Sequence, residues 1–171
     1  MWLAGGHAQA EGWALLLEGR AAAAEQMLRR SCDTLTAIGE ANFLSTVAGI
    51  LAEAIFVQGR HEEAYRFTEV SEESAGVDDV YSQLLWRSVR AKCLGRQGDT
   101  GAALRIAGEC DDLLAATDAL DLRRHVRMCQ AEVLAGAGRA ADAERAIRAA
   151  IRDAEAKENV VGAQAGRDAL R

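Results

Sequence analysis

At 171 residues the chain has the length of one domain and is long enough to bury a continuous core. Half of its residues are hydrophobic but only 5% are aromatic, so alanine and leucine must fill that core. A net charge of −6 and a pI near 5.1 count against a general nucleic-acid binder, which carries a basic face. No apolar run approaches the roughly 18 residues of a membrane span.

Met1-Trp2-Leu3-Ala4-Gly5-Gly6 lacks the charged region and the apolar stretch of a signal peptide. Gly5-Gly6 predicts an interruption, which leaves a short first helix over about Gln9–Leu17. Its partner is expected over about Ala22–Ile38, stopped by Gly39. A second pair follows over about Ala41–Val57 and His61–Ala75, ending at Gly76. Asp78-Asp79 is the best helix-start signal, offering side-chain oxygens to free N–H groups. It opens a third pair over about Val80–Arg96 and Thr100–Ala116, with Asp99 capping the second member. Asp118 or Asp121 is expected to cap the next helix, and the fourth pair covers about Leu122–Ala135 and Ala140–Ala156. Asn159 then caps a terminal helix over Val160–Leu170, whose Arg167, Asp168 and Arg171 face outward.

The pairs repeat. Ala52, Ile55, Gly59 and Ala64 stand at steps of three, four and five residues. The same steps recur as Gly12-Leu15-Gly19-Ala24, Ala91-Leu94-Gly98-Ala103 and Ala131-Leu134-Gly138-Ala143. The turn glycines are therefore 40, 39 and 40 residues apart, a period that marks stacked repeats. Small residues belong where two antiparallel helices cross closely, which predicts crossings at Ala52/Ala64, Ala91/Ala103 and Ala131/Ala143. The glycines supply the positive φ that ends a helix sharply. Twelve residues after each glycine stand Ser31, Ser71, Cys110 and Ala150, a further small column for packing on the next pair. The expected fold is all-α: a right-handed helical-repeat solenoid of four antiparallel helix pairs plus a C-terminal capping helix. One repeat domain spans 1–171, with repeats over about 7–39, 40–76, 78–117 and 119–157 and the cap over 159–170.

These small/large/Gly/Ala columns resemble the tetratricopeptide repeat, in a form about five residues longer than usual and without proline. More narrowly, several segments resemble arrays at the C-terminal end of large actinobacterial signalling proteins. They are Gln58-Gly59-Arg60 with Glu63-Ala64, Trp86–Lys92, Ala131–Leu134 with Ala137-Gly138-Arg139, and Lys157–Val161. Such proteins carry an ATPase module, often with an adenylate/guanylate cyclase or LuxR-type DNA-binding domain. The resemblance implies the sensor or scaffold section of such a regulator. Many tetratricopeptide domains grip a chaperone's terminal carboxylate with lysines and asparagines. The corresponding columns here hold Gln9, Trp13, Ile50, Leu85 and Val89, which do not support that activity.

Catalytic and metal chemistry has little to stand on. His125 and Cys129 are four residues apart, hence on one helix face, and Cys93 lies on the preceding repeat. No second closely spaced pair completes the four ligands of a structural site, so no metal and no cofactor are expected. Cys32, Cys93, Cys110 and Cys129 form no CxxC motif and read as reduced thiols packed as small hydrophobes in a cytoplasmic protein. No nucleophile constellation and no phosphate loop is present; Gly136-Ala137-Gly138 lacks the lysine and the preceding strand.

A helical array binds through the inner face of each first helix. Six residues before the glycines stand Trp13, Glu53, Lys92 and Glu132; two before them stand Leu17, Val57, Arg96 and Gly136. Phe56 lies beside these, and Ser88, His125 and Met128 continue the surface. The expected groove is apolar at its N-terminal end and basic near Lys92 and Arg96. It suits a protein or peptide segment with hydrophobic anchors followed by an acidic residue. Residues 62–79 hold seven acids against Arg66, and residues 86–105 hold five bases against Asp99. Blocks of opposite sign complement each other between helices or face water. Trp2, Leu3, Trp13, Leu16 and Leu17 make the N-terminal end apolar, as in an array cut from a longer one or one that pairs as a homodimer. The function expected is a non-catalytic protein- or peptide-binding scaffold, with no nucleic-acid or membrane partner. The alternative is a peptide- or small-molecule-sensing regulator with ligand in the groove; a metal-dependent enzyme is the least supported.

Overall fold

The computed structural model describes the backbone of residues 2–171 and side chains from residue 6 onward. Among the described residues it is all helical, with nine helices and no strand. These are α1 (Trp2–Leu17), α2 (Ala21–Ala37), α3 (Ala41–Phe56), α4 (His61–Ser74), α5 (Val80–Arg96), α6 (Thr100–Ala115), α7 (Leu120–Gly136), α8 (Ala140–Ala156) and α9 (Val160–Ala169). Four antiparallel pairs and a terminal helix place the chain in the helical-repeat class. Contacts divide it into two compact units, 1–89 and 90–171, with the boundary inside the continuous helix α5.

Two expected boundaries are corrected. The helix α1 runs from Trp2 through Gly5 and Gly6 instead of starting near Gln9. Glycine in a helix costs about 1 kcal/mol relative to alanine, which weakens a helix without ending it. Neither Asp118 nor Asp121 caps α7. Its N-cap is Ala119, whose N–H donates to Thr117 Oγ1 at 3.2 Å, and Asp121 sits in the first turn. The other capping expectations hold: Asp79 Oδ1 accepts from Ser82 N at 3.1 Å, Asp99 from Ala102 N at 3.0 Å, and Asn159 from Gly162 N at 2.8 Å.

Each repeat turn places a glycine with positive φ at its corner. Gly19, Gly59, Gly98 and Gly138 all have φ between +73° and +88°. Around Gly138, its N–H donates to Ala135 O at 3.0 Å and Arg139 N–H reaches back to Leu134 O at 2.9 Å. This pair of hydrogen bonds to the last carbonyls needs a left-handed residue at its corner, which glycine supplies without a Cβ clash. Gly39 does the same after α2, at φ 70°. After α8 the corner falls on Glu158, φ 60°, the one non-glycine residue with positive φ among those described. Its N–H donates to Glu155 O at 3.0 Å and Asn159 N–H to Ala154 O at 2.8 Å, so the geometry is kept at a steric cost.

In the first unit, Leu28, Ile50, Leu51, Ile55, Leu84 and Leu85 are fully buried. Ala52 and Ala64 are buried with them, as the crossing on this pair requires. A Cβ on Gly49 would lie 2.9 Å from Leu85 Cβ and 3.2 Å from Ser71 Oγ, so three helices meet there only because it is glycine. A seam of hydroxyls runs beside it. Ser71 Oγ donates to Ser45 O at 2.7 Å, and Ser82 Oγ lies 2.9 Å from both Ser45 Oγ and Thr46 Oγ1. Towards the surface, Arg29 and Arg60 each pair with both Glu25 and Glu63, closing a ring of four charges between α2 and the start of α4. Arg29 also stacks over Phe67, 5.1 Å from its centroid. Burial pushes the Glu25 carboxyl up, but hydrogen bonds from Arg60, Gln58 and Arg29 outweigh it and hold Glu25 below the usual carboxylate range.

In the second unit Ala91, Ala103, Ile106, Ala107 and Val133 form one core cluster, and Ala131, Ala143 and Ile147 another. Both predicted alanine crossings thus lie inside clusters. Asp153, 8% exposed, joins α8 to α7 through Arg127 Nε at 2.8 Å and Arg123 Nε at 3.5 Å. The helix α9 docks through glycines: a Cβ on Gly162 would stand 2.8 Å from Arg124 Cδ, and one on Gly166 2.6 Å from Ile151 Cγ1. Its Arg167 and Asp168 face outward, as expected of a cap.

Two outcomes test this account. Glu158→Gly removes the clash at the left-handed corner and should raise unfolding free energy by about 0.5–1 kcal/mol in denaturant titrations, glycine's added unfolded-state entropy offsetting part of the gain. An unchanged or lower value contradicts the strain. Glu25→Gln should lower stability by about 1 kcal/mol at pH 7. A carboxyl whose folded pKa is depressed contributes stability above its unfolded value of about 4.3, and loses it as pH falls through the folded value. Wild-type and variant melting curves should therefore converge in acid, and a gap that persists at pH 2 contradicts the ring.

Candidate functional site

The turn end of the second unit forms a pocket of about 320 Å³. The last turn of α5 supplies Lys92, Gly95 and Arg96, and the first turns of α6 supply Thr100 and Ala103. Glu132, Val133, Ala135, Gly136 and Ala137 from α7 and its turn complete the lining. Small side chains at Gly95, Gly136 and the alanines leave the space open, and Ala103 and Val133 give it an apolar floor continuous with the core cluster. Arg96 Nη2 donates to Glu132 Oε1 at 2.6 Å across the mouth, with side chains 55% and 37% exposed. Two cations and one anion line the pocket, next to the N-terminus of α6 and the C-terminus of α7.

The structure brings together four of the residues picked out by column, namely Lys92, Arg96, Glu132 and Gly136. The others lie outside that pocket. His125 is buried and its Nε2 lies 3.6 Å from Cys129 Sγ, while Met128 packs on the cluster of Ala131, Ala143 and Ile147. In the first unit Glu53 is 9% and Phe56 5% exposed, and the Phe56 ring lies 4.8 Å from that of His61. Ser88 is buried and donates to Leu85 O at 2.9 Å. Trp13 is half-buried, its Nε1 donating to Tyr81 Oη at 3.1 Å. Leu17 and Val57 are exposed. Trp2 and Leu3, expected at the apolar N-terminal end, lie outside the described side chains.

Column reasoning missed Gly95, Thr100, Ala135 and Ala137 of the lining. The signal for Thr100 was its place just after the Gly98 turn, where a following helix begins. The four cysteines are free thiols and buried, and burial pushes the Cys32 thiol up to about 12, so it stays protonated and unreactive.

The sequence pattern described as tetratricopeptide repeat matches residues 10–30, 46–69, 85–109 and 124–149, more than half of the chain. The chain belongs to the tetratricopeptide-repeat family. Each matched stretch straddles one turn glycine; the last three also contain an alanine crossing, and the first has Gly12 and Ala24 in those columns. No curated protein and no solved structure matches the chain. No described helix is long and apolar enough to cross a membrane. Tetratricopeptide repeats generally mediate protein–protein interaction and are typically non-catalytic, so the family fits a binding scaffold.

Proposed function

We propose that this chain is a non-catalytic scaffold that binds a protein or peptide segment, within the sensor portion of a larger bacterial signalling protein of the cytoplasm. Membership of the tetratricopeptide-repeat family carries the binding role. The signalling context rests on the likeness of Trp86–Lys92 and the other quoted segments to actinobacterial regulators. A second reading, a regulator that senses a peptide or small molecule, is supported by the pocket, whose volume lies at the low end of ligand sites. A homodimer through the N-terminal end is supported by exposed Leu17 and half-buried Trp13.

Burial decides which substitutions probe binding. Phe56 and Lys92 are nearly covered, so changes there disturb packing first. Val57 and Arg96 are exposed and serve instead. A partner isolated by affinity capture and then purified should associate more slowly with Arg96→Glu, with an effect that shrinks as salt rises. Val57→Asp should speed its dissociation if the anchor lies on the first unit. A purified partner indifferent to both changes places the binding face elsewhere and contradicts this reading.

A further inference from the structure

We propose that the pocket formed by α5, α6 and α7 in the second unit receives a leucine side chain from a partner's peptide segment, whose backbone lies over Gly95 and Gly136. The proposal rests on the protein- or peptide-binding reading above and names what the partner places there. Two glycines carry it. At Gly49, Gly162 and Gly166 a Cβ would strike a neighbour, and at the turn glycines φ is positive. Neither reason applies to Gly95 or Gly136, which lie in the last turns of α5 and α7 outside the positive-φ region. A Cβ on Gly95 meets only Ala103 Cβ, at 3.9 Å, and one on Gly136 meets nothing within 4 Å. Glycine weakens a helix relative to alanine, and its use is to let another backbone come close. Gly108 is similarly unforced but takes no part in the lining, whereas Gly95 and Gly136 share one pocket.

Charge then selects what enters. Arg96 and Glu132 answer each other at 2.6 Å, and Lys92 is 5% exposed and engaged within the protein. The pocket therefore asks for no ion. A charged group would have to break the Arg96–Glu132 pair or lie unpaired over Ala103 and Val133, and either is costly. An uncharged aliphatic group meets neither penalty. Size agrees: at about 30 Å³ for each water-sized group, a pocket of about 320 Å³ takes about ten heavy atoms. An isobutyl side chain and parts of the two peptide groups beside it fill that space. Gly95, Ala135 and Gly136 are exposed, so the pocket opens to the surface, as an anchor delivered from a partner's backbone requires. Thr100 supplies a hydroxyl, and Glu132 keeps Oε2 as an acceptor; these suit the C=O and N–H of that backbone. No bond is made or broken; the site holds an anchor.

The test is a titration of the whole chain with the uncharged peptide acetyl-Gly-Ser-Leu-Ser-Gly-amide, followed by backbone amide shifts. Saturable shifts should appear at Gly95, Thr100, Val133 and Gly136. Peptides with alanine, aspartate or lysine in place of leucine should bind about tenfold more weakly or worse. Isobutanol, which brings the aliphatic group without a backbone, should fall as far behind. Gly136→Leu fills the pocket from its own wall and should abolish binding. Gly136→Ala should melt at or above the wild-type temperature, because the new Cβ meets no neighbour. A leucine peptide no tighter than the alanine or charged ones overturns the proposal, as do shifts confined to other residues. Isobutanol as tight as the peptide overturns it in favour of a free small molecule. Binding that survives Gly136→Leu, or a Gly136→Ala protein that melts lower, overturns it too. Binding of a captured and purified partner to the wild-type chain is scored separately. Its persistence alongside a failed leucine peptide removes the pocket assignment alone, whereas absence of both removes the binding reading as well.

Discussion

The rest of the structure depends on close approach of helix backbones at positions where the side chain is nearly absent. Ala52 and Ala64, Ala91 and Ala103, and Ala131 and Ala143 are all at most 4% exposed. Larger side chains at those points would hold the helices apart, and the leucines and isoleucines around them would lose the contacts that bury them. The glycine turns serve the same end. A left-handed residue seven positions after the first alanine of each crossing reverses the chain within a few residues, so the second helix returns at the right height to meet the first. Sequence period, turn geometry and helix crossing are one constraint seen at three scales.

Polar groups then fix what close packing leaves adjustable. In the first unit the hydroxyls of Ser45, Thr46, Ser71 and Ser82 satisfy one another or a backbone carbonyl where apolar contact would allow sliding. The ring of Glu25, Arg29, Arg60 and Glu63 does this at the surface, and in the second unit Asp153 forms ion pairs with Arg123 and Arg127. The pocket has the same origin. Small residues that let helices cross leave unfilled space at the turn end, lined also by Lys92, Arg96 and Glu132.

Most of the fold was legible because its signals are local. Gly19, Gly59, Gly98 and Gly138 mark the turns by a conformation few residues adopt, and Asp79, Asp99 and Asn159 mark helix starts by bonds to their own neighbours. Local signals also misled where the balance is set elsewhere. Gly5-Gly6 reads as a break, yet α1 continues through it. The site was legible only in part. A repeat column gives the direction a side chain leaves its helix, not its depth. Lys92 and Arg96 share a helix end; one is 5% exposed, the other open to solvent. Phe56 and Met128 were both expected on the groove surface, but Phe56 is 5% exposed and Met128 packs, partly buried, against a core cluster. The small residues lining the pocket carry no chemistry of their own and gain a role only once three helix ends are brought together.

The central claim is that buried alanines set the crossings, and one comparison on a single helix tests it most directly. Ala141 and Ala143 lie two residues apart on α8; the first is exposed, the second is 4% exposed within a core cluster. Equilibrium unfolding of Ala141→Leu and Ala143→Leu compares the same chemical change at both positions. Overpacking at Ala143 should cost about 1–3 kcal/mol, while the change at Ala141 should stay within about 0.5 kcal/mol of wild type. Equal effects at the two positions would contradict the crossing.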